Sequence, residues 1–62
     1  MKYYVIKHED MYLYDVFRLS YRFASDRKRA IRYSDKNDAR RDANLLSKLC
    51  NDVFRVVKVR AQ

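Results

Sequence analysis

The sequence has no glycine, no proline and no tryptophan, and it has one cysteine and one histidine among 62 residues. Glycine-rich phosphate loops are excluded, because only glycine lets backbone N–H groups crowd around a phosphate. A disulfide within the chain is excluded because Cys50 has no partner, and Cys50 and His8 alone cannot supply the four ligands of a structural zinc site. We therefore expect neither a metal nor a cofactor.

Long apolar runs are also missing, since no stretch of even ten consecutive residues is apolar. We expect neither a signal peptide nor a membrane span. Unpaired cysteines are typical of proteins in reducing compartments. These features predict an intracellular protein with no membrane partner.

What the sequence does have is positive charge. It contains 15 Lys+Arg against 8 Asp+Glu, so the net charge is +7. Hydrophobic residues make up 48% of the chain, which argues against compositional disorder, whereas 37% charged residues leave room for one small core. We expect one domain over residues 1–62.

Alternation of apolar and polar residues predicts a β-hairpin near the start of the chain. A loop over residues 7–11, with Glu9 and Asp10 at its tip, is expected because the Asn-Gly and Asp-Gly pairs of tight turns are missing. The second strand, residues 12–23, has apolar residues at its odd positions, which should face the core. The residues expected on that face are Leu13, Asp15, Phe17, Leu19, Tyr21 and Phe23.

A densely charged segment follows the hairpin. Ser25 or Asp26 is suited to capping a single helical turn there. We expect Ala30, with Ile31 or Tyr33, to pack under the sheet while the basic side chains of the segment stay outside.

A helix is predicted from Asp35 to about Cys50, with Ser34 as its N-cap. At 100° per residue, one narrow stripe faces the sheet and the opposite arc is cationic. The stripe comprises Ala39, Ala43, Leu46 and Cys50. Asn51 ends the helix, because asparagine tolerates the left-handed cap conformation best after glycine.

A closing strand is predicted over residues 53–60, with its register left open. The fold class is therefore α+β: a three-stranded antiparallel sheet in the order β-β-α-β along the chain, with one main helix on one face. We favour a last strand that lies beside the first, and a parallel pairing with the second strand is the alternative.

The hairpin MKYYVIKHEDMYLYDVF, the middle element AIRYSDKNDARRDANLL and the closing strand VFRVVKVR together resemble small uncharacterised accessory proteins encoded by phages and prophages of Gram-positive bacteria. Those proteins commonly have glycine in the hairpin turn and an acidic closing strand, whereas this strand carries Arg55, Lys58 and Arg60. The resemblance implies the cytoplasm of a bacterial host and a protein that binds host or phage macromolecules, as anti-CRISPR proteins do. It implies no functional residues.

Enzymatic activity is not expected. Acid–base catalysis needs two carboxylates, or a carboxylate and a histidine, in contrasting environments, and the carboxylates here fall at turns, caps and isolated positions. We predict that His8 is a solvated turn residue and that Cys50 packs in the core. A surface thiol that links two chains is the alternative for Cys50. Asp15 is expected near a sheet edge, paired with an arginine or a tyrosine hydroxyl.

Positive charge is concentrated in the middle of the chain, where residues 18–41 contain nine Lys or Arg and three Asp. Seven of the nine are arginine, whose planar fork grips phosphate or carboxylate at two points. We expect these side chains to form one cationic band. Its members are Arg18, Arg22, Arg27, Lys28, Arg29, Arg32, Lys36, Arg40 and Arg41.

Aromatic side chains should add contact area to this band. We expect Tyr12 and Tyr14, with Tyr3 or Tyr4, on the solvent-exposed face of the sheet. There they could stack on bases, form an interface with a partner protein or be buried in a homodimer. We expect a non-catalytic binding protein that docks on nucleic acid or on a nucleic-acid-handling host complex. The alternative is a phage-encoded inhibitor that binds an acidic surface of a host defence or replication enzyme.

Overall fold

A computed structural model describes residues 2–18 and 20–60 of the chain. It is α+β with an antiparallel sheet and one α-helix, as predicted, but the sheet has four strands in the order β3-β2-β1-β4 rather than three. The elements in chain order are β1 Lys2–His8, β2 Met11–Phe17, β3 Ser20–Ala24, a 3-10 helix Arg27–Arg29, α1 Lys36–Cys50 and β4 Arg55–Arg60.

The extra strand arises because the predicted second strand folds back on itself. Phe17 pairs with Ser20, and Arg18 has a positive φ of 58° between them. The first turn is also tight: His8 pairs with Met11, and Glu9 has a φ of 54°. The predicted loop over residues 7–11 is therefore wrong, although Glu9 and Asp10 do form its tip. Tight hairpin turns need a positive φ at their first residue, and here two charged residues adopt it in place of glycine.

A β-bulge in β2 changes which side chains face the helix. Leu13 pairs with Phe23, and Asp15 pairs with Arg22, so Tyr14 is the inserted residue. Direct antiparallel partners share a face, and neighbours along β3 alternate. Asp15 therefore lies on the other side of the sheet from Leu13, where it pairs with Arg22. The prediction that Asp15 faces the core is wrong, because the alternation of side chains shifts at the bulge.

The outcome for the remaining odd positions is mixed. Tyr21 and Phe23 pack against the core as predicted. Phe17 does not, since it is 66% exposed at the hairpin end. Leu19 lies outside the described residues.

The closing strand lies beside the first strand, as favoured from the sequence. The two strands pair antiparallel from Lys2 opposite Arg60 to Lys7 opposite Arg55. This register places Ile6 and Val56 on the helix side of the sheet and Val5 with Val57 on the other side.

The segment between the 3-10 helix and α1 passes between β1 and β2. These strands pair directly only next to their turn. Further along, Tyr33 exchanges two backbone hydrogen bonds of 2.8 Å with Tyr4 of β1, and the Ile31 N–H donates to the Leu13 carbonyl of β2 at 3.0 Å. Ala30 packs on one side of the sheet, whereas Ile31 and Tyr33 pack on the helix side. We call residues 30–33 the crossing segment.

Among residues 2–18 and 20–60, buried side chains form two small core clusters. On the helix side, Ile6 and Leu13 pack against Ala43 and Leu46 of α1. On the other side, Val5 and Val59 pack against Ala30. A 62-residue chain thus buries apolar side chains on both faces of its sheet.

The ends of α1 refine the sequence prediction. Asp35 is the N-cap, its side chain accepting from the Asn37 N–H at 2.9 Å, so the assignment of Ser34 was one residue early. Asn51 adopts the left-handed C-cap conformation with φ 52°, as predicted. Cys50 is exposed rather than part of the core, because Leu46 is the last buried residue of α1.

Candidate nucleic-acid interface

The sheet face opposite α1 carries a row of tyrosines. Tyr3 and Tyr12 pack around Val5 and Val59, and Ala30 covers part of this surface. Tyr14, next to Leu13 at the bulge, also lies on this side, where β2 contacts the 3-10 helix. The three tyrosines are half-buried, so their rings are fixed by packing.

Cationic side chains lie over these rings. The Arg29 guanidinium is 4.7 Å from the Tyr14 ring centroid, and the Arg32 guanidinium is 4.8 Å from that of Tyr3. The Lys7 ammonium lies 5.7 Å from the Tyr12 ring centroid. Distances below about 6 Å allow a cation–π attraction. The surface formed by Tyr3, Lys7, Tyr12, Tyr14, Arg29 and Arg32 is called the Arg–Tyr face below.

The two arginines of this face have no acidic partner. Over residues 2–18 and 20–60, the only contacts within 4.0 Å between a basic and an acidic side chain are His8 with Asp52 and Arg41 with Asp38. Arg29 and Arg32 are both exposed. No side-chain hydrogen bond among the described residues involves either guanidinium, and each lies over a tyrosine ring.

Other predicted residues extend the Arg–Tyr face. Arg22 is exposed on the same side of the sheet, opposite Asp15. Arg27 and Lys28 are exposed on the 3-10 helix, which Asp26 caps by accepting from the Lys28 N–H at 2.9 Å. These cations lie on the same side of the molecule as Arg29.

Arg18 is set apart at the tip of the β2–β3 turn. Its guanidinium lies 5.5 Å from the Phe17 ring centroid, and both side chains are exposed. This pair repeats the arginine-on-aromatic arrangement at one end of the sheet.

The remaining predicted cations lie on the other side of the molecule. Lys36, Arg40 and Arg41 are exposed on α1, which covers the opposite face of the sheet. Arg41 is also 3.2 Å from Asp38. The nine cations therefore do not form a single band: five lie on the side of the Arg–Tyr face, three lie on α1, and Arg18 lies apart at the β2–β3 turn. The division arises because the crossing segment carries the chain from one face of the sheet to the other.

The tyrosine assignments are sharper in the structure than in the sequence. Tyr12 and Tyr14 lie on the face opposite the helix, as expected, and the third member is Tyr3. Tyr4 alternates to the helix side and is 9% exposed. Sequence reasoning missed Lys7 as a member of this face. A two-residue turn would have revealed it, since such a turn pairs Lys7 with Tyr12.

His8 is not the solvated turn residue that was predicted. Its ring stacks on Phe54 with centroids 4.7 Å apart, Nδ1 lies 3.0 Å from the Val53 carbonyl, and Nε2 lies 3.3 Å from the Asp52 carboxylate. Both ring nitrogens thus face protein oxygens. His8 fastens the end of β1 to the segment that leads into β4.

The described part of the chain contains neither a metal site nor a membrane-spanning helix. Between residues 2 and 60, Leu19 apart, no three or more His, Cys, Asp or Glu side chains come together as a metal site. Within the same residues, α1 is too short and too polar to cross a bilayer.

Comparison with protein-family models, with curated protein sequences and with solved structures finds no match to this chain.

Proposed function

We propose that this protein binds nucleic acid through the Arg–Tyr face, with Arg29 and Arg32 contacting phosphate. The observation that carries the proposal is that both arginines stack on tyrosine rings while no carboxylate lies within 4.0 Å of them among the described residues. Arginine in a purely solubilising role has no need of such a support.

Stacking prepares each guanidinium for a phosphate. A free arginine side chain loses rotamer freedom when it binds, whereas one held over a ring has already lost part of it. The ring lies beneath the guanidinium, whose N–H groups make no side-chain hydrogen bond among the described residues. Those N–H groups can donate two parallel hydrogen bonds to phosphate oxygens.

Long-range electrostatics add to these contacts. The net charge of +7 attracts a polyanion to the molecule, and Arg22, Arg27 and Lys28 raise the local positive potential next to the two stacked arginines. Binding of this kind reads the phosphate backbone and tolerates many sequences. We therefore propose single- or double-stranded nucleic acid without strong sequence preference as the ligand.

The test is a gel-shift or fluorescence-anisotropy titration with random-sequence DNA and RNA. The double variant Arg29→Glu/Arg32→Glu should weaken binding by more than about tenfold, and the slope of log affinity against log salt should fall by about two. Lys36→Glu/Arg40→Glu is the matched control, because it lowers the net charge of +7 by the same four units on the opposite side of the molecule.

Folding must be monitored in parallel, since the double variant also loses two cation–π contacts worth about 0.5–1 kcal/mol each. Circular dichroism at the titration temperature confirms that each variant is folded. Equal loss of binding in both double variants would contradict a localised face. No binding by the unmodified protein at about 50 mM salt would contradict the proposal altogether and favour a protein partner.

The biological setting is also a proposal. The protein would act as a small accessory protein of a phage or prophage, docking on nucleic acid or on a complex that handles nucleic acid in the host. A pull-down from bacterial lysate, with and without nuclease, tests this setting. Partners that stay bound after nuclease treatment would instead indicate a protein-directed inhibitor.

A further inference from the structure

The two edges of the sheet differ in how they are protected. β4 at one edge presents Arg55, Lys58 and Arg60, all exposed, and charged side chains on an edge strand discourage another strand from pairing with it. β3 at the other edge has the sequence SYRFA, in which Arg22 is the only charge. The β3 edge is therefore the less protected one.

Backbone groups on this edge are available for pairing. Among the described residues, β3 pairs with β2 alone, and its backbone makes no hydrogen bond outside that pairing. Alternate N–H and C=O groups of an edge strand point away from the sheet. They present the donors and acceptors that an added strand requires.

Side chains along β3 give this edge a chemical pattern. Tyr21 and Phe23 lie on the helix side at the rim of the core, where they stay half-buried because α1 lies over β1 and β4. Arg22 lies between them, exposed on the opposite side. Arg22 has no carboxylate within 4.0 Å among the described residues.

We propose that the β3 edge accepts an extended peptide segment of a partner protein as a fifth strand, with an apolar–acidic–apolar sequence at its centre. Directly opposite residues of antiparallel strands share a face. The acidic residue would then lie opposite Arg22, and the two apolar residues would cover Tyr21 and Phe23. This is strand addition, in which the backbone supplies affinity and alternate side chains supply specificity.

A second copy of this chain fits the edge less well. Antiparallel pairing of two β3 strands over their full length places Arg22 opposite Arg22, and like charges at opposite positions are unfavourable. Two chains of net charge +7 also repel each other. Charge complementarity thus favours an acidic partner.

The test uses synthetic heptapeptides with a central Val-Glu-Val or Val-Lys-Val, titrated in the absence of nucleic acid by fluorescence anisotropy. The glutamate peptide should bind about tenfold more tightly than the lysine peptide. Arg22→Glu should reverse that preference. Lys58→Glu, the same charge change at the centre of β4, should leave it unchanged.

Backbone pairing is tested with two N-methylated forms of the glutamate peptide, each methylated at alternate residues. One set of methyl groups should abolish binding and the other should leave it within about twofold, because only one side of the added strand faces β3. Equal effects of both sets, absence of binding at about 1 mM peptide, or self-association of the protein through this edge would each overturn the proposal.

The peptide test is separable from the proposed function. Arg29→Glu/Arg32→Glu should retain peptide binding, because neither residue belongs to β3. Loss of peptide binding in that variant while circular dichroism shows it folded would contradict the assignment to the β3 edge.

Discussion

The Tyr33 hydroxyl donates a 2.8 Å hydrogen bond to the Asp42 carboxylate, which joins the crossing segment to α1. Burial, the hydrogen bond to Asp42 and the negative charges of Asp42 and Asp38 raise the pKa of Tyr33 well above its ordinary value of 10.0. Folding therefore favours the protonated phenol.

The first prediction concerns this pair at alkaline pH. The folded pKa of Tyr33 lies above that of the unfolded chain, so its contribution to stability is complete below pH ~10 and is lost as the pH rises toward the folded pKa. Tyr33→Phe should lower the free energy of unfolding by about 1 kcal/mol near neutral pH. Urea unfolding at several pH values should show this difference shrinking above pH ~10. Tyr14→Phe is the control, and a constant difference would contradict the prediction.

The second prediction concerns the hairpin turn at Glu9. A φ of 54° is unfavourable for a residue with a Cβ atom, by about 1–2 kcal/mol, and costs glycine almost nothing. Glycine loses more backbone entropy on folding, so the net gain is smaller. Glu9→Gly should be about 0.5–1 kcal/mol more stable than Glu9→Ala, which removes the same side chain and keeps the unfavourable φ. Thermal unfolding of both variants is the measurement, and an equally stable alanine variant would show that the turn is unstrained.

The third prediction concerns the fastening of β1 by His8. Removing the imidazole loses the stacking on Phe54 and the contact with the Val53 carbonyl. His8→Ala should destabilise the protein by about 1–2 kcal/mol in urea unfolding. His8→Phe, which restores only the ring, should recover part of this loss. Full recovery would show that the polar contacts contribute nothing.

The fourth prediction separates the ring from the charge at the Arg–Tyr face. Tyr14→Leu keeps every cation but removes the ring under Arg29. Nucleic-acid affinity should fall by about three- to fivefold with an unchanged salt slope, because the number of phosphate contacts is the same. Arg29→Gln should lower the slope by about one. A reduced slope for Tyr14→Leu would mean that Arg29 needs the ring in order to reach phosphate at all.

The fifth prediction concerns Cys50, which is exposed at the end of α1. Ellman's reagent should titrate one thiol per chain in the folded protein without denaturant. A thiol that reacts only after unfolding would contradict the exposure of this residue.

Local chemistry explains what could be predicted from the sequence. The helix, its cap at Asn51 and the buried stripe of Ala39, Ala43 and Leu46 follow from a 3.6-residue period and from capping preferences. Pairing of the closing strand with the first follows from connection rules. These features depend on neighbouring residues or on general topology.

The errors arose where charged residues adopt conformations usually left to glycine. Glu9 and Arg18 have a positive φ at hairpin turns. Neither residue type prefers that conformation, so the sequence does not predict it. The missed turn at Arg18 merged two strands into one prediction. The bulge at Tyr14 then reversed the faces of the residues beyond it, and with them the position of Asp15.

The cations of the candidate site could be predicted from their density in the sequence, but the chain topology separates them onto different sides of the sheet. Arg29 and Arg32 were among the expected cations, but their tyrosine partners come from β2 and β1, far away in sequence. Lys36, Arg40 and Arg41 follow within a few residues, yet they lie across the sheet. The density of charge along the sequence does not predict on which side of the sheet the chain lies after it passes between two strands.

The crossing segment connects the β2–β3 hairpin to the part of the molecule formed by β1, β4 and α1. Its hydrogen bonds to Tyr4 on one side and Leu13 on the other mean that the β2–β3 hairpin cannot peel away from β1, β4 and α1 without releasing this segment as well. Loss of the segment uncovers both core clusters at once, because Ala30 belongs to one and Ile31 with Tyr33 to the other. The domain should accordingly unfold as one cooperative unit, with no stable half-folded form.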